Sequence, residues 1–144
     1  NIALSFLANT KISKILIPKS VGLCDVATFK NCVNLTSIVF EDGGDVPLYV
    51  GGDLWLENTQ VTILVLPFKT YRIRGYWRRG SNLNTLYVKS TIPPILEHGW
   101  GDNPDTCDLY VPIGCKEVYA SATNWGSFRT ITEYDFDLNP NNVH

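Results

Sequence analysis

The chain has 144 residues, of which 44% are hydrophobic and 18% are charged, and its formal net charge is −2. This apolar content excludes an intrinsically disordered chain, and the length suits one domain with a real core. The small negative charge gives no reason to expect a nucleic-acid partner, and no apolar run is long enough to predict a membrane span.

Residues 1–10 are predicted to be the end of an earlier repeat or a helix-like, apolar lead-in. They precede five short segments in which apolar residues alternate at the period of a β-strand. The segments span residues 12–18, 35–40, 61–67, 83–88 and 106–112. Their central apolar residues, at spacings of 23, 26, 22 and 23 residues, are Ile15, Ile38, Leu64, Leu86 and Leu109. Such a period predicts a solenoid, because one repeat cannot bury its own apolar face and stacked repeats can.

A second series of residues repeats in phase with the strands. An aromatic residue stands six positions before each of Leu35, Val61, Leu83 and Thr106. These aromatic residues are Phe29, Trp55, Trp77 and Trp100. We predict that they fill the interior of successive turns. A ligand platform is the less favoured interpretation, because large aromatic side chains mostly serve core packing.

The strand pattern ends near Gly114 and gives way to helix-forming residues at 116–122. The apolar residues Trp125, Phe128 and Ile131 follow. A solenoid needs a cap, because its last coil would otherwise expose an apolar face and a strand edge. We therefore predict a small cap over residues 113–134 and a polar, frayed tail over residues 135–144.

The stretch Ile15-Leu-Ile-Pro-Lys-Ser-Val21 is followed by Ala27-Thr-Phe-Lys-Asn-Cys-Val-Asn-Leu-Thr-Ser-Ile38. Together they resemble the repeat of the BspA-like surface-antigen leucine-rich-repeat family. The stretch Leu109-Tyr-Val-Pro-Ile-Gly-Cys-Lys-Glu-Val-Tyr-Ala-Ser121 is similar to the way such chains end. The resemblance implies an α/β, β-rich fold, a right-handed leucine-rich-repeat solenoid of about four to five coils. It would form a single domain over residues 1–134, with the repeats in residues 11–112.

The resemblance also implies an exported bacterial protein, extracellular or on the cell surface, that acts in adhesion without catalysis or a cofactor. The expected partner is a host or bacterial surface protein, which no motif identifies. Because no basic-then-apolar leader opens the chain, we expect any export signal to have been removed before residue 1. A carbohydrate-binding module and a structural spacer remain alternatives.

The strands also predict a binding surface. In each strand, the residue between two inward positions must point outward, and on the concave face of the solenoid these residues are apolar or aromatic. They are Leu16, Val39, Val65, Tyr87 and Tyr110. An exposed apolar stripe is unusual on an inert monomer, so protein recognition is one interpretation. Cover by the chain's own loops or by a neighbouring copy is the other.

A possible basic patch lies in the third repeat, where arginines on both sides of Ile73 predict a half-exposed strand. The arginines are Arg72, Arg74, Arg78 and Arg79, interleaved with Tyr71, Tyr76 and Trp77. Basic and aromatic residues together can bind nucleic acid, but the net acidic chain favours an anionic glycan, an acidic protein patch or a merely solvated face.

No constellation predicts catalysis or metal binding. The only histidines are His98 and His144, and no nucleophile motif accompanies them. The acidic stretches 41–45 and 102–108 lack the spacing of a calcium loop and suit plain turns. Cys24 and Cys32 are predicted to be small core residues, whereas a disulfide between Cys107 and Cys115 stays open.

Overall fold

The computed structural model describes residues 7–25, 28–102 and 104–138. The first six residues of the lead-in and the last six of the tail, including His144, lie outside the described residues. The strands in chain order are β1 (Lys14–Ile17), β2 (Leu23–Asp25), β3 (Ser37–Phe40), β4 (Leu48–Gly51), β5 (Ile63–Leu66), β6 (Thr70–Arg74), β7 (Thr85–Val88), β8 (Ile95–Leu96), β9 (Asp108–Pro112) and β10 (Thr130–Tyr134). The one α-helix in this part of the chain is α1 (Lys116–Ser121).

The strands form two parallel series. In the first series β1 pairs with β3, β3 packs beside β5, and β5, β7, β9 and β10 form one sheet. In the second series β2, β4, β6 and β8 form another parallel sheet. Successive turns of the chain add a strand to each series, which makes a β-solenoid of about five turns with little helix. The prediction of a β-rich solenoid is therefore confirmed.

The first series contains all five predicted strand segments. Its register aligns their central residues, as in the pairs Ile15–Ile38 and Leu64–Leu86. From Ile38 to Leu109 these residues are buried in one apolar core. The second series supplies the opposite wall, where Cys24, Val50, Ile73 and Leu96 lie in register and are also buried. The core thus lies between the two series of strands.

A column of aromatic rings runs along the core, as predicted. The ring centroids of Phe29 and Trp55 are 5.5 Å apart, and those of Trp55 and Trp77 are 5.6 Å apart. Trp100 continues the column 5.5 Å from Trp77, and Trp125 of the cap lies 5.0 Å further. All five side chains are buried. Core packing is thus the role of the repeated aromatic residues.

The C-terminal cap adds both a helix and a strand. Tyr119 of α1 is fully buried and its hydroxyl donates to the carbonyl oxygen of Ser90 at 2.7 Å. The indole Nε1 of Trp125 donates to the carbonyl oxygen of Pro94 at 2.9 Å. The strand β10, which the sequence pattern did not predict, extends the first series with the exposed residues Thr132 and Glu133. Polar side chains on this last strand suit a sheet edge.

The cysteines are core residues. All four are buried, which confirms the prediction for Cys24 and Cys32. Cys107 and Cys115 each carry a free thiol and form no disulfide. Burial raises the pKa of the Cys107 thiol to about 11. In the described part of the chain, no helix has the length and apolarity that crossing a membrane requires.

Candidate binding surfaces

The five residues of the predicted stripe lie in one row across the first series. The register pairs Leu16 with Val39 and aligns Val65, Tyr87 and Tyr110. Leu16 is 58% exposed, whereas Val65 is only 7% exposed although it lies outside the apolar core cluster. Val39, Tyr87 and Tyr110 are half-buried. The exposed stripe is therefore shorter than predicted, and Val65 is not an accessible contact.

The C-terminal segment covers part of this row. The ring of Tyr134 packs edge-on against Tyr87, 5.2 Å between centroids, and lies 6.1 Å from Tyr110. The ring of Phe136 follows at 6.3 Å from Tyr87. Oδ1 of Asp135 accepts hydrogen bonds from the backbone N–H groups of Asp137 and Leu138, which fixes the start of the tail. Cover by the chain itself, one of the two interpretations, thus applies to Tyr87 and Tyr110.

The most exposed apolar surface lies elsewhere, at the corner where the chain passes from the first series to the second. A cleft of about 560 Å³ opens there beside β6 and β8. Its wall residues include Phe68, which is 69% exposed, and Ile92, which is 75% exposed. Tyr71 and Ile95 are also exposed, and three prolines complete the walls, Pro47, Pro93 and Pro94. Contiguous apolar surfaces, unlike single exposed apolar residues, often mark interaction sites.

This apolar cleft was missed from the sequence. Its signal was present in the dipeptide Pro67-Phe68 and in the run Ile92-Pro-Pro94, where large apolar residues follow strands at positions that usually favour polar turn residues. The periodicity that located the strands does not report on the turns between them. Only the stacking of two coils shows that Phe68 and Ile92 line one cleft.

Phe68 of the apolar cleft also lines a neighbouring cavity. A second cavity of about 420 Å³ is lined by Phe68, Lys89 and Phe136, among others. Lys89 is held there by Asp42, with 2.6 Å between Nζ and Oδ2, and lies 6.0 Å from the Phe136 ring. On the other side of the cleft, Nζ of Lys69 donates to the carbonyl oxygen of Lys19, and burial lowers the pKa of the Lys69 amine.

The predicted basic patch is not assembled from all four arginines. Arg78 is 5% exposed, and its Nη2 donates to the carbonyl oxygen of Leu83 at 3.0 Å. Its Nη1 donates to the carbonyl oxygen of Asp102 at 3.2 Å, so this guanidinium joins neighbouring turns and does not reach a ligand. Arg78 therefore lies apart from the exposed part of the possible basic patch, because backbone carbonyl groups inside the solenoid accept hydrogen bonds from two of its nitrogen atoms.

Two of the other three arginines form ion pairs, and the third donates to a tyrosine hydroxyl. Nε of Arg72 lies 3.6 Å from Oε1 of Glu97, and Nη1 of Arg79 lies 3.3 Å from Oδ2 of Asp53. Nε of Arg74 donates to the hydroxyl of Tyr49 at 3.3 Å, and that hydroxyl donates to Glu97 at 2.6 Å. Burial, followed by the bond to Glu97, raises the pKa of the Tyr49 hydroxyl. The carboxylates of Glu97 and Asp53 therefore offset the positive charge of Arg72 and Arg79.

A polar pocket of about 370 Å³ lies beside these arginines. Its lining residues come from three successive turns of the solenoid and are Asp53, Arg74, Gly75, Tyr76, Glu97 and His98. The imidazole of His98 lies parallel to the Tyr76 ring, with 6.2 Å between centroids. Within the described ranges, no group of three or more His, Cys, Asp or Glu side chains could hold a metal ion. Asp102 and Asp108 instead accept hydrogen bonds from Gly80 and Arg129.

No protein-family model matches the chain, and no curated protein is similar to it at a significant level. The surfaces above are therefore the basis for assigning a function.

Proposed function

We propose that this chain is a non-catalytic binding module that recognises a protein partner through the apolar cleft. In this proposal it belongs to an exported bacterial protein of the cell surface, and the solenoid is a right-handed, BspA-like leucine-rich repeat. The repeat spacings of 22 to 26 residues and the aromatic column support that repeat type. The sequence resemblance at residues 15–38 and 109–121 supports the family.

The exposure of Phe68 and Ile92 is the observation that carries the proposal. Both residues are more than two-thirds exposed, and both line the same cleft. Burying such side chains in an interface yields about 25 cal/mol for each Å² of apolar surface removed from water. A partner segment with a bulky apolar side chain matches these walls, and the centre of an interface typically has this composition.

The tyrosine row is a secondary contact in this proposal. Tyr87 and Tyr110 belong to the stripe predicted from the sequence, but Tyr134 and Phe136 pack against them. Phe68 lines the cleft and also the neighbouring cavity that Phe136 lines. A partner seated in the cleft would therefore first meet Phe68 and Ile92.

A binding screen with charged substitutions tests the proposal. The purified chain is screened by surface plasmon resonance against extracellular-matrix proteins, and Phe68→Asp and Ile92→Asp are compared with the unmodified protein. We expect each variant to weaken protein binding about tenfold or more, as the loss of a central contact does. Ile113→Asp is the matched control, because Ile113 is 62% exposed on the next turn but does not line the cleft.

Two results would count against the proposal. In one, both cleft variants keep full affinity while circular dichroism shows the native fold. In the other, the control loses as much affinity as the cleft variants, which would indicate a general charge effect. Failure of every protein in the screen to bind would favour the structural-spacer alternative.

A further inference from the structure

The ring of Phe136 rests against three side chains at the end of the first strand series. Its centroid lies 5.0 Å from that of Tyr134 and 6.3 Å from that of Tyr87, and both contacts are edge-on. Nζ of Lys89, which is also paired with Asp42, lies 6.0 Å from the same centroid. Edge-on rings and a nearby ammonium group are favourable surroundings for an aromatic side chain. We name Tyr87, Tyr134 and Lys89 the aromatic cradle.

Capping of the core does not explain this contact. Trp125 and Phe128 of the cap are buried, and the ring of each lies 5.0 Å from Trp100, the last ring of the column within the repeats. Phe136, in contrast, is half-buried and lies outside the apolar core cluster. The cap therefore closes the core before the chain reaches Phe136.

The packing around the Phe136 ring is incomplete. Two cavities, of about 420 Å³ and about 360 Å³, are both lined by Lys89, Phe136 and Asp137. Open space beside a ring forfeits the dispersion contacts that a close-packed interior supplies. Segments with few buried apolar contacts are the first to open locally. The contact between Phe136 and the aromatic cradle is therefore one that can be released while the core stays folded.

The segment that carries this ring, residues 135–138, forms a turn with backbone hydrogen bonds of its own. The N–H groups of Asp137 and Leu138 both donate to Oδ1 of Asp135 at 3.0 Å. The strand β10 has already ended at Tyr134, so these two bonds do not belong to the sheet. Residues 135–138 can therefore move away from the aromatic cradle as a unit, without breaking the pairing of β10 or the bonds of their own turn.

We propose that the aromatic cradle binds an aromatic side chain of a partner protein, and that residues 135–138 are a strap whose Phe136 occupies the cradle until the partner displaces it. The ring seated there in the free protein gives the class of the occupant. The partner competes with the strap, so its apparent affinity is reduced by the fraction of molecules in which the cradle is empty. This site is separate from the apolar cleft and does not depend on it.

Binding of a peptide copy of the strap tests the proposal. A fluorescently labelled peptide with the sequence of residues 133–138 is titrated with the unmodified protein and with Phe136→Ala, and its anisotropy is measured. We expect Phe136→Ala to bind the peptide about tenfold or more tightly than the unmodified protein does, because its cradle is empty. Asp135→Ala, which removes the acceptor of the turn and loosens the strap, should also bind more tightly and covers the case in which Phe136→Ala fails to fold.

Further changes in the Phe136→Ala background locate the bound peptide. Tyr87→Ala removes a wall of the cradle and should abolish the gain in affinity, whereas Glu117→Ala, at an exposed position of α1, should not change it. Ile92→Ser alters only the cleft, so a gain that is lost with it would place the peptide in the cleft and overturn the proposal. A folded Phe136→Ala variant that binds no better than the unmodified protein would overturn it too. So would equally tight binding of a peptide with alanine in place of its phenylalanine. A gain that survives Ile92→Ser would support the cradle whatever the outcome for the apolar cleft.

Discussion

The rings of Tyr87 and Tyr110 stack with 4.5 Å between their centroids and 14° between their planes. Tyr134 and Phe136 pack edge-on against this pair, so four aromatic rings form a satellite cluster outside the main core. The C-terminal segment thus packs on the first strand series. It partly encloses the row of tyrosines, which would otherwise be open to solvent.

Removing the Phe136 ring should change the ionisation of Tyr87. Burial, followed by the charges of Tyr110 and Tyr134, raises the pKa of the Tyr87 hydroxyl. In Phe136→Ala, more water reaches Tyr87, and we expect its pKa to fall towards the ordinary value of a tyrosine. Ultraviolet titration of the tyrosinate band in both proteins measures the difference. Leu138→Ala is the control, since Leu138 is 79% exposed. Identical titrations of all three proteins would contradict the conclusion that the Phe136 ring shields Tyr87 from water.

Replacing a tryptophan of the aromatic column with alanine should lower the free energy of unfolding substantially. Trp77 is fully buried between Trp55 and Trp100. Trp77→Ala would leave a large cavity in a stack that spans several turns, and we expect a loss of about 3–5 kcal/mol in the free energy of unfolding. Urea denaturation followed by circular dichroism measures it. Ile113→Ala, at an exposed turn, should cost little. A loss below about 1 kcal/mol in Trp77→Ala would show that the column is not essential to the fold.

The strands and the aromatic column could be predicted because each repeats one burial requirement in every turn of the solenoid. Ile38, Leu64, Leu86 and Leu109 meet the same environment, so the period appears directly in the sequence. Most of the second strand series was not predicted, because its strands do not show such a repeated pattern in the sequence. Its strand β8 has only two residues, and Gly51 in β4 carries no side chain that could show alternation.

The surfaces could be predicted only in part, because they depend on contacts between distant turns. Val65 and Leu16 occupy equivalent positions in their strands, yet one is buried and the other exposed. Their different neighbours, and not their own residue types, decide this. Arg78 and Arg79 are likewise identical and adjacent in the sequence. Only the three-dimensional structure shows that the first points inside.

The two adjacent arginines provide a matched test of that difference. In Arg78→Met, the carbonyl oxygens of Leu83 and Asp102 lose a buried charged donor. We expect a loss of about 2–4 kcal/mol in the free energy of unfolding. Arg79→Met removes an exposed ion pair with Asp53 and should cost less than about 1 kcal/mol. Chemical denaturation of both variants measures the two losses. Equal losses would contradict the internal role of Arg78.

The ion pair between Asp108 and Arg129 should make the last turn sensitive to acid. Two parallel bonds of 2.9 Å join the guanidinium to the carboxylate, and the hydroxyl of Thr130 donates to Oδ1 of Asp108 at 2.8 Å. These bonds, the one from Arg129 first, lower the pKa of Asp108 to about 2. Since the folded pKa lies below the ordinary value near 4, the pair stabilises the protein above about pH 4. That contribution is lost as the pH falls towards 2.

Nuclear magnetic resonance titration of the Asp108 carboxyl carbon tests this dependence. In Arg129→Ala the pKa of Asp108 should rise most, because the larger cause is removed, and in Thr130→Val it should rise less. Asp108→Asn should lower the stability at pH 6 by a small amount, as expected for a partly exposed pair, and this deficit should vanish near pH 2. A deficit that is the same at both pH values would show that Asp108 contributes through its shape and not through its charge. Equal pKa values in Arg129→Ala and in the unmodified protein would exclude Arg129 as the main cause.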